Sequence, residues 1–458
     1  MHRTGERRAA AGSGSLKGFA VLAVLALAGC GGGGGGGSKP SGANTSPPTP
    51  VPPPPPPSPY EINRAFRFDA AVFYPPALDF LATATSIGDI NSDGRPDVVL
   101  ATEGVYREED RSRIFIYPQL PGGLLGAAFK SPFLDTYPWQ PIGMTLGDLD
   151  GDGAPEIFVG HQEGLTVFKF HKDSQAITKV LHPDPHGFST VATLDVDNDG
   201  RLDVVAQTSS YGAVIYRGDG LGGVSRLRDL PTPLRGYNYI TAEDMNGDGR
   251  EDLLLIHQGF HWWLMLNDGA GGLAPPREQA LPRWRADNMS WTGVSLGVGD
   301  FNRDGRKDVA VSLSSNRPAG MAIFLQQADG QFVLDKVMES HDLPGAVMVA
   351  DMDGNGLDDV LTLHNGFSTM GVYLQGPGGL EAETRVSIGV HLYSPTSRFR
   401  PDGFALGDVN SDGCKDAVIA DYIHGVMIFH GRDCKRPAAA TAVSRAMLSA
   451  VTSKLGGG

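Results

Sequence analysis

Gly88-Asp89-Ile90-Asn91-Ser92-Asp93-Gly94-Arg95-Pro96-Asp97-Val98-Val99 decides how this 458-residue chain folds. Counted from Asp89, side-chain oxygens stand at positions 1, 3 and 5, and a further carboxylate stands at position 9. Alternate side chains of a curling backbone converge on one centre, which suits a hard cation: calcium takes about six to eight oxygens at roughly 2.3–2.6 Å. Glycine at position 6 permits the sharp turn because it tolerates positive φ. Position 7 offers its backbone carbonyl. The β-branched residues that follow are strand formers.

The pattern recurs seven times. The predicted calcium ligands are Asp89, Asn91, Asp93, Arg95 and Asp97; Asp148, Asp150, Asp152, Ala154 and Glu156; Asp195, Asp197, Asp199, Arg201 and Asp203; Asp244, Asn246, Asp248, Arg250 and Asp252. The last three sets are Asp300, Asn302, Asp304, Arg306 and Asp308; Asp351, Asp353, Asn355, Leu357 and Asp359; Asp408, Asn410, Asp412, Cys414 and Asp416. In each set the fourth residue lends only its carbonyl. Glu156 departs in length, and Asn355 lowers the charge of the sixth loop. Together the loops hold 23 of the 52 acidic residues; removing their charges from the net −14 leaves +9. The acidity of the chain therefore belongs to the loops. Unfilled, each packs three or four like charges together.

The copies begin 59, 47, 49, 56, 51 and 57 residues apart. A period near 50 residues indicates a propeller or solenoid rather than separate domains. An apolar run precedes each motif, as in Val294-Ser295-Leu296-Gly297, and a β-branched run follows, as in Val309-Ala310-Val311. About ten residues later comes another strand, such as Ile114–Tyr117 or Trp263–Leu266, then a Gly-rich turn and a weaker fourth strand. Four short strands per period make one propeller blade. The predicted fold class is all-β: a seven-bladed β-propeller over residues 60–434, with a calcium hairpin loop in each blade. The seventh repeat lacks a fourth strand, and an unclaimed strand over Phe66 to Tyr74 precedes the first. It is predicted to complete the last blade, removing an exposed edge.

Two other readings of the motif fit less well. An EF-hand shares positions 1, 3, 5 and 6 but needs flanking helices and a ligand at position 12. Here the flanks are β-branched, and position 12 is Leu100, Val159 or Val311 in the copies beginning at Asp89, Asp148 and Asp300. Metal-free Asx turns explain one copy, not seven.

With these residues in view, the repeats resemble the FG-GAP/VCBS family, whose repeats also form the seven-bladed head of integrin α-chains. The resemblance covers residues of about 66 to 432. It implies a propeller with calcium in hairpin loops on one face. It also implies, by analogy alone, adhesion or ligand binding.

The N-terminus reads as an export address. Arg3, Arg7, Arg8 and Lys17 precede a short apolar run, Phe19 to Ala28. That run suits a signal peptide core and is too short to span a bilayer. It ends in Leu27-Ala28-Gly29-Cys30, which resembles a bacterial lipobox and implies lipidation of Cys30. Residues 1–29 are thus the predicted lipoprotein signal, and residues 30–59 the lipidated Cys with a Gly- and Pro-rich tether. Such a tether does not fold and could reach roughly 90 Å at about 3.1 Å per residue. Residues 435–458 form an Ala/Ser-rich tail with no assigned role. The expected location is the bacterial cell envelope, at the outer membrane or cell surface, with a membrane contact through the lipid anchor. Cys414 and Cys434 read as a disulfide in an exported chain, fastening the end where the ring closes.

The net charge argues against nucleic acid as a partner. Segments ahead of the inner strands are rich in aromatics and His: Trp139, His182, His186, Tyr237, Tyr239, Trp284, Trp291, His391 and Tyr393. Such rings suit a sugar or peptide, and they equally suit packing between blades. The ligand face is expected at Trp139, Tyr237, Tyr239, Trp284, Trp291 and Tyr393. His161, His257 and His364 each lie five residues past position 9, where hydrogen bonding at a strand end is the simpler expectation. The favoured function is a calcium-stabilised envelope protein that binds a protein or polysaccharide. The alternative is a propeller lyase or hydrolase acting on extracellular polysaccharide. No nucleophile elbow, zinc motif or free pair of carboxylates marks a catalytic site.

Overall fold

All seven motifs join the first and second strands of a four-stranded antiparallel sheet in the computed structural model of the protein. The described residues are 60–75, 80–104, 112–134, 143–208, 212–234, 238–257, 259–283, 292–314, 318–364, 368–391 and 401–434. The residue before position 1 pairs with position 9 every time, from Gly88 with Asp97 to Gly407 with Asp416. The motif is thus a hairpin connection closed by a ladder rung.

Blade 1 is built from Phe80–Gly88, Asp97–Gly104, Arg113–Tyr117 and Phe129–Lys130. Blade 2 follows with Gly143–Gly147, Glu156–His161, Gly164–His171 and Ala176–Pro183, and blade 3 with Thr190–Leu194, Asp203–Gln207, Ala213–Gly218 and Val224–Leu230. Blade 4 comprises Asn238–Glu243, Asp252–His257, His261–Met265 and Arg277–Ala280. Blade 5 comprises Thr292–Gly299, Asp308–Ser314, Ala319–Gln326 and Phe332–Ser340. Blade 6 uses Pro344–Ala350, Asp359–His364, Thr369–Tyr373 and Thr384–Ser387, and blade 7 uses Phe404–Gly407, Asp416–Asp421 and Gly425–Phe429. Each innermost strand touches the next, and that of blade 7 touches that of blade 1, so the ring closes.

The second strands are apolar without alternation because neighbouring blades cover both of their faces. Leu253, Leu254, Leu255 and Ile256 are fully buried, with Leu253 and Leu255 facing blade 3 and Leu254 and Ile256 facing blade 5. At roughly 1.5–3 kcal/mol per buried aliphatic side chain, these double-sided strands carry most of the cohesion between blades.

The N-terminal strand closes the ring, but not as one piece. Val72–Tyr74 forms the outer edge of blade 7, pairing with Val426, Met427 and Ile428. Arg67–Phe68 pairs separately with Gly431–Arg432. Between them Asp69 breaks the ladder: its N–H bonds the His430 carbonyl at 2.8 Å and its carboxylate takes Arg432 at 2.6 Å. Cys414 and Cys434 form a disulfide that ties position 7 of the last loop to the segment after the last strand of blade 7. Among the described residues the helical element is a single 3-10 turn, Pro401–Gly403. The signal, the tether, Cys30 and residues 435–458 lie outside the described residues.

The cystine closes a segment with a sequence separation of 20 residues, for which chain entropy gives about 3 kcal/mol. Replacing both cysteines by serine should lower stability by about that amount in urea denaturation. Wild-type protein held in reductant should then match the variant.

Candidate metal centres in the hairpin loops

Backbone geometry shapes each loop before any ligand is considered. Positions 4 and 6 both adopt left-handed φ in all seven copies, for example Ser92 at 53° and Gly94 at 83°, or Arg303 at 64° and Gly305 at 83°. Position 6 is always glycine. Position 4 escaped the sequence reading; its signal was the run of Ser, Gly and Asn there, residues that tolerate or cap tight turns. The doubled left-handed turn points the N–H groups of positions 5 to 7 inward.

Those donors then fix the carboxylates. The glycine N–H at position 6 donates to the position 1 carboxylate at 2.7–2.9 Å in every blade. The N–H of position 7 donates to the position 5 side chain at 2.8–3.0 Å. Position 9 is a clamp. One oxygen accepts the N–H of position 2 at 2.8–3.1 Å. In six blades the other accepts an N–H at the end of the third strand or two residues beyond it, as Asp252 does from Asn267 at 2.8 Å.

Each carboxylate oxygen keeps a further lone pair beyond these bonds. At position 3, Asn91 Oδ1, Asp150 Oδ1 and Asp197 Oδ1 are buried with no hydrogen-bond partner among the described residues. Ligand oxygens of Asp148, Asp150 and Glu156, of Asp195, Asp197 and Asp199, and of Asp351, Asp353 and Asp359 lie within 4.8 Å of one another. In blades 4, 5 and 7 the position 3 amide oxygen instead accepts the position 5 N–H at 2.9 Å. The donor set is oxygen throughout, which fits a hard cation such as calcium and not a thiophilic metal.

Neighbouring blades wall the loops in. Asn267, Gln326 and Gln375, each at the end of a third strand or two residues beyond it, donate side-chain amides to loop carbonyls of the preceding blade: Asp195 at 2.8 Å, Met245 at 2.7 Å and Asp300 at 3.0 Å. Gln119 accepts from Ser411 of blade 7 at 2.8 Å. The outer hairpin of the next blade packs close as well. A Cβ at Gly222, whose φ is +87°, would sit 3.3 Å from Asp150 Oδ2. These amides were missed because a lone Gln or Asn at a strand end carries no periodic signal. Their recurrence at one place in blades 1, 4, 5 and 6 was the available clue.

Of the predicted ligand face, Trp139, Tyr237, Trp284, Trp291 and Tyr393 lie outside the described residues. Tyr239 stands within the inner strand of blade 4 rather than on a connection. It packs on the core between blades 4 and 5 and helps line a central cavity of about 400 Å³ with Thr85, Thr145, Thr193 and Asp402. Burial and the nearby Asp402 carboxylate push its phenol up. His182 is in the fourth strand of blade 2, its ring on Tyr216 at 5.9 Å. His186 bonds Asp184 at 3.1 Å, and His391 is exposed. The three strand-end histidines do not converge. His161 bonds Thr166 at 2.7 Å, His257 packs on Trp263 at 5.2 Å and His364 bonds Glu383 at 2.7 Å.

Residues 89–159, 148–206, 195–255, 244–311 and 300–362 each match the FG-GAP-like repeat. Human integrin alpha-7 is 27% identical over 146 residues, which are 29% of this chain and 12% of that protein. An Agrocybe aegerita lectin that recognises non-reducing terminal N-acetylglucosamine is similar in structure, with a TM-score of 0.48 and 16% identity over 74% of this chain and 86% of the lectin. A Bacillus licheniformis rhamnogalacturonan lyase has a TM-score of 0.43 and 14% identity, covering 79% of this chain and 74% of the lyase.

Burial pushes the clamp carboxylates of blades 1 to 6 up, with backbone N–H bonds opposing and neighbouring loop carboxylates adding. Asp97, Asp203 and Asp308 reach about 6, and Asp359 about 8. Folded protein therefore holds protons that the unfolded chain has already lost, so these groups remove stability as pH rises from about 4 towards 8. Protein freed of divalent ions should melt at a lower temperature at pH 8 than at pH 5, and saturating calcium should abolish the difference. A metal-free melting temperature that climbs over that range would contradict this electrostatic picture.

Proposed function

The chain belongs to the FG-GAP-like repeat family, and from that premise we propose that it is a calcium-stabilised envelope lipoprotein that binds a protein or polysaccharide. The observation that carries the calcium reading is the set of buried, partnerless oxygens at position 3 of three loops. Burying a polar atom without a partner costs free energy. A divalent cation supplies that partner and neutralises the carboxylates around it. The ion is a structural staple in this reading: it stabilises the folded ring by mass action and takes no part in chemistry.

The family and the likeness to an integrin α-chain support binding as the role. The N-terminal segment packs beside two of these loops. Asn63 donates its backbone N–H to Asp353 Oδ2 at 2.6 Å, Arg64 pairs with Glu381 at 2.6 Å and Arg303 lies over the Tyr60 ring. The segment thus lies against the loops of blades 5 and 6. Lipid on Cys30 holds the chain to the envelope in this account.

Two outcomes check the proposal. Cys30→Ala should move the protein from the membrane fraction to the soluble fraction. The full chain, detergent-solubilised and used as bait on envelope extracts and a glycan array, should retain a partner in calcium and release it on chelation. A partner held equally well in both conditions would remove calcium from the function, and an empty array and extract would remove binding.

A further inference from the structure

One blade departs from the shared clamp. In blade 2, position 9 is Glu156, one methylene longer than aspartate. Its Oε2 accepts the Leu149 N–H at 2.9 Å, as in every blade. Its Oε1 takes no backbone donor but the ammonium of Lys169 at 2.8 Å. The same Nζ bonds Asp152 Oδ2 at 3.1 Å and the Asp150 carboxylate. One ammonium therefore touches positions 3, 5 and 9 at once, and its three N–H donors match three carboxylate acceptors.

The sequence register makes this specific. Lys169 follows Phe168, which pairs with Ile157 directly after position 9. The residues at that register in the other blades are Pro118, Arg217, Leu266, Leu325, Leu374 and His430. Arg217 reaches Asp197 at 2.6 Å and Asp199 at 3.0 Å, yet Asp203 keeps both of its backbone donors. Of the position-7 arginines, Arg95, Arg250 and Arg306 each pair with one loop carboxylate, that of position 5. Loop 2 has Ala154 at position 7 and carries four carboxylates, whereas the loops with an apolar residue at the Lys169 register carry three.

We propose that Lys169 is the resident cation of the blade 2 loop. Its ammonium keeps this loop closed without a divalent ion, and calcium enters only by displacing it, at higher free calcium than the other loops need. A lysine suits the exchange: it is a compact charge on a flexible stem, and its side chain stays 29% exposed, with room to withdraw. The inference rests on the calcium reading above and makes the loops unequal.

Calcium binding to the full chain, followed by flow dialysis with radioactive calcium, tests it. Wild type should show one site at least tenfold weaker than the main class. Lys169→Met should move that site into the main class, and Leu266→Lys should move the blade 4 site out of the main class into the weak one. Lys169→Met should also melt lower than wild type in calcium-free buffer and match it at saturating calcium; an equal deficit in both would make the lysine merely structural and overturn the proposal. A single class of sites unaltered by either substitution would overturn it too. Wild type that binds no calcium at millimolar levels sinks the parent reading instead.

Discussion

Mutual repulsion among carboxylates, confined to one hairpin per blade, is the constraint around which the propeller is organised. Each loop gathers three or four acidic groups at a turn whose backbone is already committed to two left-handed residues. Backbone N–H groups answer part of that charge. The position 1 and position 5 side chains are fixed by donors inside the turn, and position 9 by donors from its own loop and third strand. Fixing the oxygens does not neutralise them. It holds like charges together at positions suited to a cation, so occupancy and the closure of the hairpin become one equilibrium.

The arrangement matters beyond the hairpin because blades share it. The amide of Asn267, Gln326 or Gln375 reaches the preceding loop, so displacement of one loop is felt by the next blade. Loop 7 is further held by the disulfide at Cys414, and loop 6 by Asn63 from the segment ahead of the first strand. The ring is closed at the same place. Val72–Tyr74 covers what would be the bare edge of blade 7, a row of backbone groups that invites aggregation. Both ends of the described chain are therefore fastened beside acidic loops, and the order of the loops bears on whether the ring stays shut.

Most of this was legible in the chain itself. Seven copies of a spaced acidic motif with apolar runs on either side dictate the blades, and the missing fourth strand dictates the closure. What escaped had physical reasons. Asp69 interrupts the closing strand and turns its carboxylate to Arg432, a long-range contact that local pattern does not encode. Left-handed backbone at position 4 is borne by Arg303 as well as by glycine, so residue type alone conceals it. Lys169 reads as an ordinary strand residue until pairing with the second strand aims it at Asp150, Asp152 and Glu156. Tyr239 was placed on a connection and stands in a strand, because the apolar run that leads into the fourth motif is longer than its β-branched part.

Native mass spectrometry of the full chain in calcium, compared with magnesium and with chelator, tests the central claim most directly. The account predicts a ladder of bound calcium ions ending at seven, lost in chelator and not reproduced by magnesium at equal concentration. A single unliganded mass at millimolar calcium would contradict it.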